Sequence, residues 1–304
     1  MTLAALLSAR RPTTVWADAP GAGAARYGAT VISAYGGRMP RGGTLILLGT
    51  HVQPGTWLDY AKPRRLIVLC VLSYPQQVYA ALTQLERPGL PPAELVFVSS
   101  RLQATLGLPG RIGPEPLDLE RFRPRPRSPR SPRATGLAFT IGRHSRDVPE
   151  KHHPADPSLY RMAAWSGVHT RLLGGTCLAA ALGGQPEIEI FAAGSLPAED
   201  FLAGLDCFFY RTHPSWSEPS GRVVMEALAS GLPVIAHDSG GYTDWLTPGE
   251  NGYVFSTQEE AYDLIQLLRR QPEQRLRMAQ AARATAEREA GGERLRDYLD
   301  WLSA

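Results

Sequence analysis

Two glutamates, Glu218 and Glu226, are the residues whose type and spacing point most directly to chemistry. Seven residues separate them, and they flank the start of a predicted helix, which a predicted buried strand follows at 232–236. An exposed helix N-terminus has unpaired N–H groups and a partial positive charge, so it can bind a diphosphate. A carboxylate on each side of that phosphate site can accept hydrogen bonds from hydroxyl groups at the two ends of a sugar nucleotide.

Cationic and backbone groups for the phosphates are predicted nearby. Arg143 follows Gly142 at the end of a predicted strand, and its guanidinium can bond two phosphate oxygens at once, while Lys151 adds a compact charge. Glycine at the helix start permits close approach of the backbone to a ligand. The predicted backbone donors of the first helical turn are Ser220, Gly221, Arg222 and Val223.

The stretch around the two glutamates resembles the donor-binding signature of retaining glycosyltransferases of the GT-B type, and of glycosyltransferase family 4 (glycosyl transferases group 1) in particular. Other stretches resemble the family's phosphate-binding strand end, its interdomain connection and its glycine loop with a short strand: 140–143 with Lys151, 115–124, and 239–244 with 249–254. The resemblance covers roughly residues 110–256. It implies an α/β fold with two Rossmann-like domains facing across a cleft, the first of them shortened.

The resemblance also implies an activity and a role for each residue. The activity is transfer of a sugar, with retention, from a UDP- or GDP-sugar donor to a saccharide, lipid-linked or small-molecule acceptor. Glu218, Arg143 and Lys151 are the implied catalytic residues, with Glu218 beside the donor sugar and its oxocarbenium-like state. Glu226 is implied to hold the ribose diol.

The chain departs from the family pattern on the acceptor side. The family carries a histidine after a first-domain strand, and the matching stretch at 68–73 has none. His51 ends a different predicted strand and is either the substitute or a structural histidine. Gly21 and Gly23 lie in a loop after the first predicted strand. This loop either brings backbone close to the acceptor or diphosphate or is an ordinary loop. It is not a dinucleotide fingerprint, because Arg26 occupies the position of the third glycine. Asp244 also stands where the family has glutamate.

Neither a metal nor a cofactor is predicted. The chain has no Asp-x-Asp pair and no His/Cys set at ligand spacing, and His152 and His153 are adjacent rather than one turn apart. Fixed cations and a helix N-terminus are the alternative to a metal at the leaving phosphates. Cys70, Cys177 and Cys207 are odd in number and lie among apolar neighbours, so we predict three buried free thiols.

The strands and helices that position these residues are predicted from the pattern of apolar residues along the chain. Continuous Val, Ile and Leu runs predict strands of a parallel sheet buried on both faces. The predicted strands are 14–17, 30–32, 44–48, 65–72, 95–98, 137–141, 170–173, 188–192, 207–210 and 233–236, and the predicted helices are 75–85, 159–165, 197–202, 222–230, 258–270, 273–289 and 293–302. We divide the chain into an acceptor-side domain (1–120), a linker (121–136) and a nucleotide-sugar domain (137–290). A last helix (291–304) is implied by the resemblance to return to the first domain.

Composition limits the classes of partner. With 43% hydrophobic and 20% charged residues the chain is globular, and its net charge of +3 gives no reason to expect nucleic acid as a partner. No apolar run approaches the roughly 18–20 residues that span a bilayer, and the N-terminal charges follow the apolar stretch, so a cytoplasmic protein is expected. The oligomeric state is not predicted.

The linker alternates arginine with proline, which excludes helix and central strand. It is either a solvated connector or a contact for an anionic partner, which would be an acidic acceptor or lipid head groups at the inner membrane face. Two alternatives to the transferase stay open: a sugar-nucleotide epimerase of the same architecture, and a catalytically weak partner or scaffold subunit. The intact glutamate pair opposes the scaffold, because a scaffold needs no phosphate site.

Overall fold

The computed structural model describes residues 3–17, 30–33, 37, 39–49, 56–71, 74–125 and 139–304. Within these ranges the chain forms two compact units, one comprising Met1–Leu117 with Glu289–Ala304, and the other Asp118–Arg288. Each unit contains a parallel sheet with helices, which confirms the predicted α/β class with two Rossmann-like domains.

The first unit is built on a four-stranded sheet of order β3-β4-β5-β6, beside a two-stranded pair β1-β2, with all pairings parallel. Its strands are β1 Thr14–Ala17, β2 Thr30–Ser33, β3 Thr44–Leu48, β4 Arg65–Cys70, β5 Ala93–Phe97 and β6 Arg111–Ile112. Its helices are α1 Leu3–Ser8, α2 Pro75–Leu85, α3 Ser100–Leu106 and, from the end of the chain, α10 Gly292–Ser303.

Burial in this sheet follows strand position. The central strand β4 is buried on both faces, as a continuous apolar run predicts. The prediction is wrong for β3, which alternates and leaves Leu48 61% exposed, because β3 is an edge strand of its sheet. One face of β4 is covered by α10, whose Tyr298 and Leu299 pack against Ile67 and Leu69.

The second unit contains a six-stranded parallel sheet of order β12-β11-β10-β7-β8-β9. Its strands are β7 Thr140–His144, β8 His169–Leu173, β9 Ile188–Phe191, β10 Cys207–Tyr210, β11 Val234–His237 and β12 Gly252–Phe255. Its helices are α4 Asp156–Trp165, α5 Ala179–Leu182, α6 Ala198–Leu202, α7 Arg222–Ala229, α8 Gln258–Arg270 and α9 Pro272–Ala290, the last of which ends in the first unit. Because every strand pair is parallel, the carboxyl ends of all six strands meet at one edge, where ligands bind in such sheets.

The burial of the cysteines differs in part from the sequence prediction. Cys70 and Cys207 are buried, but Cys177 is exposed, so the prediction of three buried thiols is wrong at that position. Cys177 lies on a short 3-10 turn at 176–178, none of whose residues is buried. Among the described residues, no helix combines the length and apolarity needed to cross a membrane.

The first arginines of the predicted linker pair with carboxylates of their own unit. Arg121 lies 2.9 Å from Glu199, and Arg125 lies 2.5 Å from Asp200. Residues 126–136 of the linker are outside the described residues. Contact between the linker and an anionic membrane therefore stays a prediction.

Candidate donor-binding site

The candidate site lies at the carboxyl edge of the second sheet, in the loops that follow β7, β10 and β11. The loop after β10 carries Glu218. The backbone carbonyl of Glu218 accepts a 2.9 Å hydrogen bond from the N–H of Gly241 in the loop after β11. This bond fixes the two loops to each other before α7 begins.

Helix α7 starts at a glycine that the local structure requires. Gly221 has a φ of +79°, and a Cβ at this position would lie 2.5 Å from Cδ1 of Tyr242. The carbonyl of Gly221 accepts the first helical bond, from Val224 N–H at 2.8 Å. Arg222 and Val223 therefore present their N–H groups in the first turn of an eight-residue helix, as the sequence predicts.

Glu218 is held by two donors from other loops. Lys151 Nζ pairs with its Oε2, and the hydroxyl of Tyr210, the last residue of β10, donates to the same oxygen at 2.8 Å. Burial, followed by the charge of Glu218, raises the pKa of Tyr210 well above its ordinary value, so the phenol stays protonated and remains a donor. The side chain of Glu218 is 12% exposed, which leaves part of the carboxylate accessible.

Lys151 is a partly desolvated cation. Burial lowers its pKa, and the neighbouring charge of Glu218 opposes that effect. Its Nζ also lies 4.6 Å from the ring centroid of Trp216, over which the exposed Arg146 lies at 5.5 Å. Arg146 is a second cation at this edge that the sequence analysis missed, since no motif marks it.

Arg143 lies beneath this surface. Its side chain is 1% exposed, and its two terminal nitrogens donate to the carbonyls of Arg211 and Lys151. A phosphate contact would require these bonds to be released, whereas the present geometry holds the loop that carries Lys151. The neighbouring Gly142 is explained by packing, because a Cβ there would lie 2.6 Å from the carbonyl oxygen of Arg171.

A buried carboxylate supports the arginines. Asp156, fully buried at the start of α4, accepts from Nε and Nη2 of Arg211 at 2.9 and 2.7 Å and lies 3.8 Å from Arg143. Its other oxygen accepts from the N–H of His153 at 3.0 Å. Sequence reasoning missed Asp156 and Arg211, because they are 55 residues apart and neither belongs to a recognised motif.

Glu226 lies one turn inside α7 and is contacted from two sides. Arg222 Nε lies 3.3 Å from its Oε1 on the exposed side, and His144 Nε2 lies 3.3 Å from its Oε2 on the buried side. Burial, with a smaller effect of Arg143, lowers the pKa of His144 to about 4. The imidazole is therefore neutral at pH 7, and its contact with Glu226 is a polar contact rather than an ion pair.

The predicted residues thus fall into three groups. Lys151 and Glu218 lie in contact, and Ser220–Val223 and Glu226 lie on the same loop and helix, while Arg143 and Gly142 lie beneath them. The acceptor-side predictions Gly21, Gly23 and His51 are outside the described residues. In the part of the chain that the structure describes, no three His, Cys, Asp or Glu side chains are grouped as metal ligands.

Comparison with known proteins shows which family the second unit is similar to. Residues 176–285 match the family model of glycosyl transferases group 1, which confirms the resemblance seen in the sequence. A GDP-mannose-dependent alpha-mannosyltransferase of Mycobacterium tuberculosis is 32% identical over 174 residues, which are 55% of this chain and 44% of the relative. The processive diacylglycerol alpha-glucosyltransferase of Acholeplasma laidlawii is 41% identical over 61 residues, 18% of each chain. The chain thus spans less than half the length of these curated relatives.

Solved structures share the fold over nearly the whole chain. A glycosyltransferase from Rickettsia africae aligns with a TM-score of 0.74 over 99% of this chain and 92% of its own, at 14% identity. HepE from Anabaena, in complex with UDP-glucose, aligns with a TM-score of 0.70 over 99% and 93%, also at 14% identity. The likeness confirms the fold that the glycosyltransferase resemblance implied.

Proposed function

We propose that this protein is a retaining glycosyltransferase that takes a sugar from a UDP- or GDP-sugar without a metal. The observation that carries the proposal is the contact between Lys151 and Glu218 at the sheet edge, directly before the N-terminus of α7. This arrangement places a cation and backbone donors, which can bind a diphosphate, beside a carboxylate, which can accept hydrogen bonds from a sugar. The match to glycosyl transferases group 1 covers Glu218, α7 and Glu226.

In the proposed reaction the bond between the sugar's anomeric carbon and the diphosphate oxygen breaks, an acceptor hydroxyl oxygen bonds to that carbon, and the hydroxyl proton passes to the departing diphosphate. Lys151 and the first N–H groups of α7 stabilise the negative charge of the departing diphosphate. Glu218 accepts from the sugar hydroxyls and stabilises the positive charge that develops on the ring. Glu226 accepts from the ribose hydroxyls, and Arg143 holds the Lys151 loop in place.

Retention is supported by the names of relatives. Two curated relatives are named as alpha-transferases, and an alpha product formed from an alpha-linked nucleotide donor is the outcome of retention. Metal independence is proposed because Lys151, Arg146 and the N-terminus of α7 can together offset the negative charge of a departing diphosphate. The acceptor is proposed to be a saccharide, a lipid-linked sugar or a small molecule.

The proposal is tested by following donor turnover and product configuration. The full chain is incubated with UDP- and GDP-hexoses in the presence of a chelator, and released nucleoside diphosphate and the anomeric proton of the product are followed by NMR. We expect transfer, or hydrolysis with water as acceptor, to give an alpha product. Glu218→Gln should lower turnover by about 100-fold or more, the scale of a lost electrostatic group in an active site.

The matched control is Glu259→Gln, which changes an exposed glutamate on α8 in the same way. It should keep the wild-type rate. Equal turnover in wild type and Glu218→Gln would contradict the proposed site. A donor converted to its epimer without release of diphosphate would favour the epimerase, and no binding of any donor would favour the scaffold.

A further inference from the structure

His144 is a buried polar residue for which neither the sequence motifs nor the proposed reaction gives a role. It is the last residue of β7, and its ring lies among aromatic side chains, 5.7 Å from the Phe208 ring centroid and 6.3 Å from that of Phe201. An apolar residue would satisfy that packing. A histidine there places a polar atom in apolar surroundings, which is unfavourable unless the atom has a partner.

One ring nitrogen of His144, Nε2, lies next to a side chain of α7. Nε2 is buried and makes no well-aligned hydrogen bond within the described residues, and it lies 3.3 Å from Oε2 of Glu226. That separation lies just beyond the usual range of N–H···O distances, about 2.7–3.2 Å, so the two atoms are in polar contact and a small rotation of either side chain would align them as donor and acceptor. Since burial lowers the pKa of His144 to about 4, the ring can offer one N–H but no charge at neutral pH.

The two oxygens of Glu226 are held differently. Arg222 approaches Oε1 from the exposed side, where its own side chain is 45% exposed, and exposed ion pairs fix a geometry only weakly. His144 approaches Oε2 from the buried side, where its side chain is 10% exposed and its rotamer is limited by the two phenylalanines. The rigid contact is therefore the one made by His144.

We infer that His144 is a positioning residue that fixes the Glu226 carboxylate for two-point recognition of the ribose diol of the donor nucleotide. The inference rests on the proposed function, in which Glu226 accepts from the ribose hydroxyls. It predicts that losing His144 weakens the discrimination between a ribonucleotide and its 2′-deoxy counterpart, rather than nucleotide binding in general.

The test is a ligand comparison by isothermal titration calorimetry on the full chain. UDP and 2′-deoxy-UDP, and likewise GDP and 2′-deoxy-GDP, are titrated into wild type, Glu226→Gln, His144→Phe and His144→Gln. A hydrogen bond to a charged group corresponds to about 10- to 100-fold in affinity, so the wild type should prefer the ribonucleotide by that factor. Glu226→Gln and His144→Phe should both reduce the preference to about threefold or less.

Two variants separate positioning from packing. The amide nitrogen of glutamine can occupy the place of Nε2, so His144→Gln should restore most of the ribose preference. Leu268→Ala removes buried packing from a core cluster that contains neither Phe201 nor Phe208, so it should lower the melting temperature and keep the preference.

The outcomes separate the role of His144 from the assignment of Glu226 to the ribose. If Glu226→Gln abolishes the preference but His144→Phe and His144→Gln both keep it, the role of His144 is refuted and the proposed function stands. If Glu226→Gln itself keeps the preference, the ribose assignment fails, and the role of His144 fails with it. Should His144→Phe not fold, a lost preference in His144→Gln would also contradict the inference.

Discussion

The pair formed by Lys151 and Glu218 gives a prediction that can be worked out from the structure. The two side chains are 10% and 12% exposed, so removing one partner leaves a charged or strongly polar group with little water. Breaking a buried pair in this way costs about 3–5 kcal/mol, and the residual exposure favours the lower end. We therefore expect Glu218→Gln and Lys151→Met each to lower the free energy of unfolding by about 3 kcal/mol.

The double variant should not add these losses. Burial is the largest effect on the pKa of Lys151 and lowers it, while Glu218 raises it, so each charge offsets part of the desolvation of its partner. Removing both groups also removes that desolvation, and the double variant should lose no more than either single variant. The coupling free energy in the cycle is then about 3 kcal/mol, the upper end for contacting residues.

The pH dependence of the Glu218→Gln variant provides a second check. The folded-state pKa of Lys151 is below its ordinary value of 10.5, so between these two values the unfolded state binds more protons, and stability rises with pH. Without Glu218 the folded-state pKa falls further and this window widens towards neutral pH. The deficit of the variant should therefore shrink as the pH rises from about 7 towards 10.

The assay is urea unfolding followed by circular dichroism and tryptophan fluorescence. The matched control is Lys62→Met, which removes an exposed lysine of the first unit and should leave the transition unchanged. A double variant that loses the sum of the single losses, about 6 kcal/mol, would refute the reasoning. A deficit in Glu218→Gln that grows with pH would refute it as well.

Three further substitutions test the surroundings of the site and the first unit. Gly221→Ala forces a Cβ to within 2.5 Å of Tyr242 at a φ of +79°, and should cost about 1–3 kcal/mol in chemical denaturation and weaken nucleotide binding. Arg211→Met leaves the fully buried Asp156 with only part of its donors, so the free energy of unfolding should fall by about 3–5 kcal/mol in the same assay. A fall below about 1 kcal/mol would contradict the stabilising role of this buried network. Leu299→Ala in α10, where the side chain is 1% exposed, should cost about 2–5 kcal/mol, and unchanged thermal unfolding would show that α10 does not cover its sheet.

Much of the fold was predictable because local signals agree with tertiary packing. The capping box at Thr257 and Glu260 and the amphipathic pattern behind it define the start of α8, and the run at 207–210 is apolar because β10 is central in its sheet. Edge position was not predictable for β3. Its apolar residues look like those of a central strand, and only the sheet order shows that, among the described residues, β3 pairs with a strand on one side.

The site was predictable where the chemistry lies in one stretch of chain. Glu218 and Glu226 are eight positions apart in the sequence, and α7 begins between them. Their short spacing alone therefore brings them together. The burial of Arg143 was not predictable, because it depends on Asp156 and Arg211, which come from other elements. Likewise His144, at the end of β7, meets Glu226 of α7 only in the folded second unit, and no sequence pattern records that contact.

The proposed function requires the second unit to bind a nucleoside diphosphate through fixed protein groups. We would test this requirement with a thermal-shift panel of UDP, GDP, dTDP, CDP, ADP and NAD, in magnesium and in chelator. A ligand at 100 times its dissociation constant stabilises by about 2.7 kcal/mol, or about 5–10 °C for a domain of this size. We predict such a shift with UDP or GDP, equal in magnesium and chelator. No shift with any nucleoside diphosphate would contradict the proposed function, and a shift that requires magnesium would contradict metal independence.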